Sequence, residues 1–319
     1  MKGTINKPLV SIAVATYNGE QYLIEQLDTL VNQTYTNIEI IISDDGSTDG
    51  TTKILKDYEK KYSFISIKEN AAPHGIKRNF ENALKYCRGE YIAFSDQDDI
   101  WMLDKIEKLV NNIGNHALIY HDSLFVDTNA NSLGKTFSSD LRCYSGTNSE
   151  AFLLCNCVSG HALLFNRKLL PIVLPFPNAR HHDWWLAFRA TENGGVQFFD
   201  EVLVHYRQHA FSQTDFLRIK KEALDEEKTE KDDIEWFEAC AAVPSQHQLF
   251  YKKWVKYFSV RNENIFNWHL FFLSIQRFND LFYMRKKNKI STLLHVMRRS
   301  WGQDIKENFR DKKKKILRK

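Results

Sequence analysis

The chain has 319 residues, 43% of them hydrophobic, 13% aromatic and 26% charged, a composition that excludes disordered, collagenous and low-complexity polypeptides. It is long enough for one large domain with an appendage, or for two domains. The formal net charge of +4 is unevenly spread: residues 285–319 hold fourteen Lys and Arg against three acids, leaving residues 1–284 at −7. Residues 9–15 form a short run rich in Val and Ile, which predicts a buried strand. Leu23, Ile24, Leu27, Leu30 and Val31 then recur at helical spacing. Residues 38–43 predict a second strand ended by a turn at 44–47, with Thr48 or Asp49 placed to cap a helix carrying Ile54, Leu55 and Tyr58. A third strand is expected over 64–67, a helix over 75–87 and a fourth strand over 91–94. This alternation predicts an α/β fold, a mostly parallel sheet flanked by helices. Further on the pattern is mixed, with strands expected at 118–121, 162–165 and 202–206 and helices at 150–154 and 183–190. From about residue 215 strand signals stop, and a charged helix over 216–242, broken by Pro244, leads into more helices. The expected organisation is one α/β domain over 1–214 and a basic helical region over 215–319.

In open parallel sheets ligands bind beyond the carboxyl ends of the strands. Three of the four predicted strand ends are polar and acidic: Thr16-Tyr17-Asn18, Asp44-Asp45 and Asp96-Gln97-Asp98-Asp99. Carboxylates fixed at a strand end form a hard-oxygen site suited to Mg²⁺ or Mn²⁺ together with a diphosphate. An isolated D-x-D is ordinarily a solvated turn or a helix cap; here Asp44-Asp45, Asp183 and His209 add to the set. A calcium loop starting at Asp45 is excluded because its twelfth position would be Lys56 instead of a bidentate Glu. The sequence contains neither a phosphate-cradling G-x-x-x-x-G-K-[ST] loop nor a G-x-G-x-x-G fingerprint.

Residues 10–18, Gln33-Thr34-Tyr35 and residues 41–49 resemble the opening of family 2 glycosyltransferases of the GT-A fold. Residues 89–101 look like that family's D-x-D segment, and are especially similar to bacterial polysaccharide enzymes of the rhamnosyl- and galactosyltransferase kind. His182-Asp183-Trp184-Trp185 is similar to their [E/H]-D-W catalytic segment, and Tyr206-Arg207-Gln208-His209 to a frequent closing motif. The resemblance covers residues 9–210 and implies an inverting, metal-dependent transferase that moves a sugar from a UDP- or dTDP-sugar to a growing, lipid-linked cell-surface glycan. It implies that Thr16, Tyr17, Asp44 and Asp45 hold the nucleobase and that Asp96 approaches the ribose. Asp98 and His209 would hold Mn²⁺ or Mg²⁺, Lys77 or Arg78 would neutralise phosphate, and Asp183 would be the base. Ala15 departs from relatives that carry a hydroxyl near the base. The tryptophans Trp101, Trp184 and Trp185 read either as sugar platforms or as core, and His161 either as a donor-sugar neighbour or as a core histidine.

The five cysteines are odd in number and lack a C-x-x-C pair, which speaks against a disulfide framework or a zinc site. Residues 1–8 are too short and polar for a signal peptide, and no segment nears the ~20 apolar residues of a membrane span, so a cytoplasmic protein is expected. Past residue 249 a dense series including Phe250, Trp254, Phe258, Phe266, Phe271, Phe278 and Phe282 is interleaved with cations, which predicts peripheral contact with an anionic membrane surface. A nucleotidyltransferase would need a Gly-rich, Lys/Arg-containing loop after the first strand, and residues 16–20 provide none. Nucleic acid is not an expected partner, because no standard nucleic-acid motif is present. A non-catalytic nucleotide-sugar binder would carry the same motifs.

Overall fold

The computed structural model describes residues 7–71, 74–209, 226–263 and 265–302. In chain order the elements are β1 (Val10–Thr16), α1 (Leu23–Val31), β2 (Ile38–Asp44), α2 (Thr51–Lys61), β3 (Ile65–Glu69), α3 (Ile76–Leu84), β4 (Tyr91–Ser95), β5 (Ile100–Trp101) and α4 (Lys105–Asn112). They continue with β6 (Leu118–Val126), β7 (Ser132–Thr136), β8 (Leu163–Asn166), α5 (Leu170–Val173), α6 (His182–Glu192) and β9 (Val196–Arg207). The last helices are α7 (Glu226–Ala242), α8 (Gln248–Ser259), α9 (Trp268–Gln276), α10 (Phe278–Leu281) and α11 (Lys289–Ser300).

One sheet runs in the order β3-β2-β1-β4-β8-β6-β9-β5, with β7 paired to β6. The first four strands are parallel neighbours, and β6 pairs parallel with β9; β8, β7 and β5 run against them. β1 and β2 are buried at every position, the pattern of strands covered on both faces. α1 turns Leu23, Leu27 and Leu30 onto the sheet, and each fully buried Leu contributes about 1.5–3 kcal/mol. Trp101 and Tyr206 join the same core, beside Ile106 and Leu109 of α4.

The chain forms two compact units. Among the described residues the first comprises 7–71, 74–147, 156–176 and 181–209 and carries the sheet. The second comprises 148–155, 177–180 and the helices from α7 onward. Inside it Trp236 Nε1 donates to the Leu153 carbonyl (2.9 Å), the Ser149 and Tyr251 hydroxyls meet at 2.5 Å, and Arg180 pairs with Asp233. The expected boundary near residue 214 lies outside the described residues. Among the described residues no helix is long and apolar enough to cross a membrane.

Candidate active site

The rim begins where β1 and β2 end. Thr16 is buried, and its hydroxyl donates to Asp44 Oδ1 (2.9 Å). Asp44 also accepts from the Ser47 amide (2.9 Å) and hydroxyl (2.6 Å), which folds residues 44–47 into a turn around the positive φ of Gly46. Asp45 accepts from Asn70 Nδ2 and the Gly75 amide, each at 2.7 Å, and meets His74 Nδ1 at 2.8 Å. Burial pushes this carboxyl up, but the Gly75, His74 and Asn70 partners outweigh it and hold it below the usual range. Asn18, in the left-handed region at φ +47°, accepts from the Thr48 amide (2.8 Å) and donates its own amide to Ser47 Oγ (2.9 Å). The two loops are thereby laced together, and the Tyr17 side chain stands at their surface, 56% exposed.

The second part of the rim is a carboxylate cluster. Asp96, Asp98 and Asp99 leave the end of β4, and Asp183 sits in the first turn of α6. Asp99 is fully buried, and its Oδ2 has no hydrogen-bond partner. Its carboxyl is pushed well above the usual range by burial and then by the charges of Asp98 and Asp96. Asp96, whose side chain keeps 31% exposure, is pushed up to about 7 by burial, Asp98 and Asp183. Asp183 is also raised by burial, although the amides of Trp184 (2.6 Å) and Gly160 (3.1 Å) donate to its two oxygens. Gly160 fits there because it has no Cβ; one would lie 3.2 Å from His182 Nε2.

Histidines and cations surround these acids. His209 Nε2 meets Asp98 Oδ2 at 2.8 Å. The buried His161 stacks on Tyr206 (centroids 4.1 Å) and places Nδ1 3.9 Å from Asp99 and 4.0 Å from Asp96. Ligand atoms of Asp96, Asp99 and His161 all lie within 4.8 Å of one another. Lys105 is fully buried, donates to the His161 carbonyl (2.5 Å) and lies over the Trp101 ring. Burial holds this amine well below the usual lysine range, against the opposing pull of Asp99 and Asp96. Arg207, also buried, bonds the Asp98 carbonyl through Nε (2.9 Å), Asp99 Oδ1 through its amide (3.3 Å) and Glu25 through a terminal nitrogen (2.6 Å).

The structure therefore gathers Asp96, Asp98, Asp183 and His209 on one rim and holds Thr16, Asp44 and Asp45 in the adjoining laced loops. Arg78 forms a close double contact with Glu81 (2.6 and 2.8 Å), and Lys77, half-buried, is one of the charges that depress the His182 imidazole. Trp101 and Trp185 belong to the core: Trp101 is 1% exposed, and Trp185 donates to the Val173 carbonyl (3.0 Å). His205 pairs across to Ile100 on the strand, while His209 lies beyond the end of β9. The sequence names Asp99 and Arg207 only inside their motifs, leaves His161 open between donor-sugar neighbour and core, and does not mark Lys105 at all. Arg207 stands inside the closing motif, which was a usable signal; nothing in the pattern marks Lys105 as buried.

A mostly parallel α/β sheet with acids at its carboxyl rim defines a GT-A domain. The family model of Glycosyl transferase family 2 matches residues 11–171, and the chain belongs to that family. An uncharacterized glycosyltransferase of Rickettsia prowazekii is 31% identical over 221 residues, 67% of this chain and 68% of that protein. The Escherichia coli enzyme WfgD, a UDP-Glc:alpha-D-GlcNAc-diphosphoundecaprenol beta-1,3-glucosyltransferase, is 30% identical over 227 residues, 67% of this chain and 83% of that protein. Among solved structures, Staphylococcus aureus TarS in complex with UDP-GlcNAc superposes with a TM-score of 0.56 at 16% identity, over 90% of this chain and 79% of that chain. The mannosyltransferase PcManGT of Pyrobaculum calidifontis, in complex with GDP-Man and Mn²⁺, gives 0.54 at 17% identity, over 79% and 70%.

Proposed function

We propose that this family 2 glycosyltransferase moves a hexose from a UDP- or dTDP-sugar, with inversion, to a lipid-linked glycan during polysaccharide synthesis. The observation that carries this reading is that Asp183, its carboxylate fixed by two amides, lies close enough to Asp96 for its charge to raise that carboxyl. A single oriented carboxylate, raised by burial, is suited to take the proton of an acceptor hydroxyl as that oxygen attacks the anomeric carbon. Attack opposite the leaving diphosphate inverts the centre.

The donor set fits a hard divalent cation: clustered carboxylates, one buried oxygen of Asp99 left unpartnered, and imidazoles within reach. Asp98 and His209 would hold it, with Asp96 and Asp99 adjoining. Bound Mn²⁺ or Mg²⁺ supplies Lewis-acid stabilisation of the departing diphosphate. Thr16, Tyr17, Asp44 and Asp45 are assigned to the nucleoside side, and Tyr17 offers the exposed ring for a base to stack on. Lys77 or Arg78 is assigned to phosphate charge. The activity that the Escherichia coli relative's name states, on a diphosphoundecaprenol acceptor, supports the lipid-linked assignment.

The test is a panel of UDP- and dTDP-sugars with Mn²⁺, read first by thermal shift and then by nucleoside diphosphate released in the presence of lipid-linked acceptors. Stabilisation by one donor with acceptor-dependent release supports the reading. Donor binding without release under any acceptor identifies a non-catalytic binder instead.

A further inference from the structure

The helical unit divides its aromatic residues into an inner and an outer set. Phe250, Trp254 and Phe258, spaced four apart on α8, are buried; Trp254 and Phe258 pack on Phe237 of α7, and Phe250 on Trp254. This corrects the expectation that they meet a membrane. The outer set lies at the start of α9, where Phe266, Trp268, Phe271 and Phe272 form one cluster with ring centroids 4.6–6.1 Å apart. Trp268 and Phe272 are 60% and 62% exposed, with Ile265 before them and Ile275 one turn on. α11, which packs against α9, exposes Ile290, Leu293 and Leu294. Exposed apolar side chains gathered in this way mark an interaction surface.

Charge identifies what it meets. Residues 281–302 contain six Lys and Arg and no acid, and Lys286, Lys287, Lys289 and Arg298 are exposed. The start of α9 is tied to the end of α11: the Asn267 amide donates to the Ser300 carbonyl (2.7 Å) and the Gly302 amide to that of Ile265 (3.1 Å). Residues 303–319, which follow in the sequence, hold eight Lys and Arg against three acids. A second copy of this chain would bring the same positive strip against itself, which disfavours self-association. A bilayer with anionic headgroups supplies both an acyl boundary for the rings and counter-charge for the strip.

We propose that the α9–α11 face docks in the plane of an anionic phospholipid bilayer, with Trp268 and Phe272 inserted at the headgroup boundary. The surface is independent of the transferase chemistry, so failure of the proposed reaction would leave it intact. The full chain should sediment with phosphatidylcholine vesicles containing phosphatidylglycerol and stay in solution with phosphatidylcholine alone. The double variant Trp268→Ala, Phe272→Ala should keep its melting temperature and bind those vesicles at least about tenfold more weakly. Replacing Lys312, Lys313, Lys314 and Lys315 by Ala should reduce the same binding and its salt sensitivity. Vesicle binding that the double variant leaves unchanged, or equal binding to the uncharged vesicles, overturns the proposal. A dimer in solution that the double variant turns into a monomer overturns it too, by giving the face to self-association.

Discussion

Gln97 grips Tyr17 by both polar groups of its backbone: its side-chain oxygen accepts the Tyr17 amide (2.8 Å) and its nitrogen donates to the Tyr17 carbonyl (3.0 Å). The middle residue of the D-x-D segment thus joins the carboxylate cluster to the loop after β1. Gly19 makes room for it, since a Cβ there would lie 2.4 Å from the Gln97 oxygen. Two such bonds contribute about 0.5–1.5 kcal/mol each. Gln97→Ala should weaken nucleotide-sugar binding by about tenfold with little change in thermal stability, as titration calorimetry would show.

Replacing Asp183 by Asn keeps the shape of the α6 turn and removes the proposed proton acceptor. Turnover should fall by about 10²–10⁴ while calorimetric nucleotide affinity stays near that of the parent. A variant with near-normal turnover would take Asp183 out of the chemistry.

Asp98 and His209 should govern cation affinity. Asp98→Asn should abolish measurable Mn²⁺ binding, and His209→Ala should weaken it roughly 10–100-fold. Titration of Mn²⁺ followed by electron paramagnetic resonance reads this without any turnover. Chelator should remove activity from the parent in the same range.

Gly89 precedes β4 against its neighbours' main chains. A Cβ there would lie 2.5 Å from the Ser11 nitrogen, 2.7 Å from the Tyr91 oxygen and 2.8 Å from the Leu9 oxygen, all backbone atoms that cannot swing aside. Gly89→Ala should cost about 1–3 kcal/mol or more in urea unfolding, with activity per folded molecule retained.

Acid should destabilise the protein through buried imidazoles. Burial, then His181 and Lys77, bring His182 down to about 3; burial, then Arg285, Arg299 and Arg298, bring His295 down to about 4. Both imidazoles are neutral when folded, so the unfolded chain takes up the protons first as pH falls below about 6.5. Stability is fully present above that pH and declines toward 3–4. His182→Leu should flatten this acid limb in melting curves; an unchanged limb removes His182 as its source.

The sheet's first half could be read from the sequence because its strands are buried on both faces and contain runs such as Ile40-Ile41-Ile42, which few other environments would take. The acids at the strand ends were visible for the same reason, as polar residues interrupting apolar runs. Burial of individual charges was not visible. Lys105 opens an amphipathic helix where a lysine ordinarily faces water, and only the packing of Trp101 and His161 against it places it inside. Asp99 shares its segment with Asp98, yet its side chain turns into the core, a rotation that no spacing rule encodes. The helical unit shows the limit most plainly. Phe250, Trp254 and Phe258 recur at the same interval as Trp268 and Phe272, and tertiary packing alone sends one set inward and the other out.

The contributions of residues 148–155 and 177–180 to the helical unit have a consequence for biosynthesis. Leu153 waits for Trp236, 83 residues later, and Ser149 waits for Tyr251, 102 residues later. On the ribosome those two short stretches emerge long before their partners exist, so the nascent sheet must hold together with loose ends. A stop codon or protease cut in the connecting segment would leave them permanently stranded, and an enzyme shortened to its sheet alone would need those two stretches redesigned.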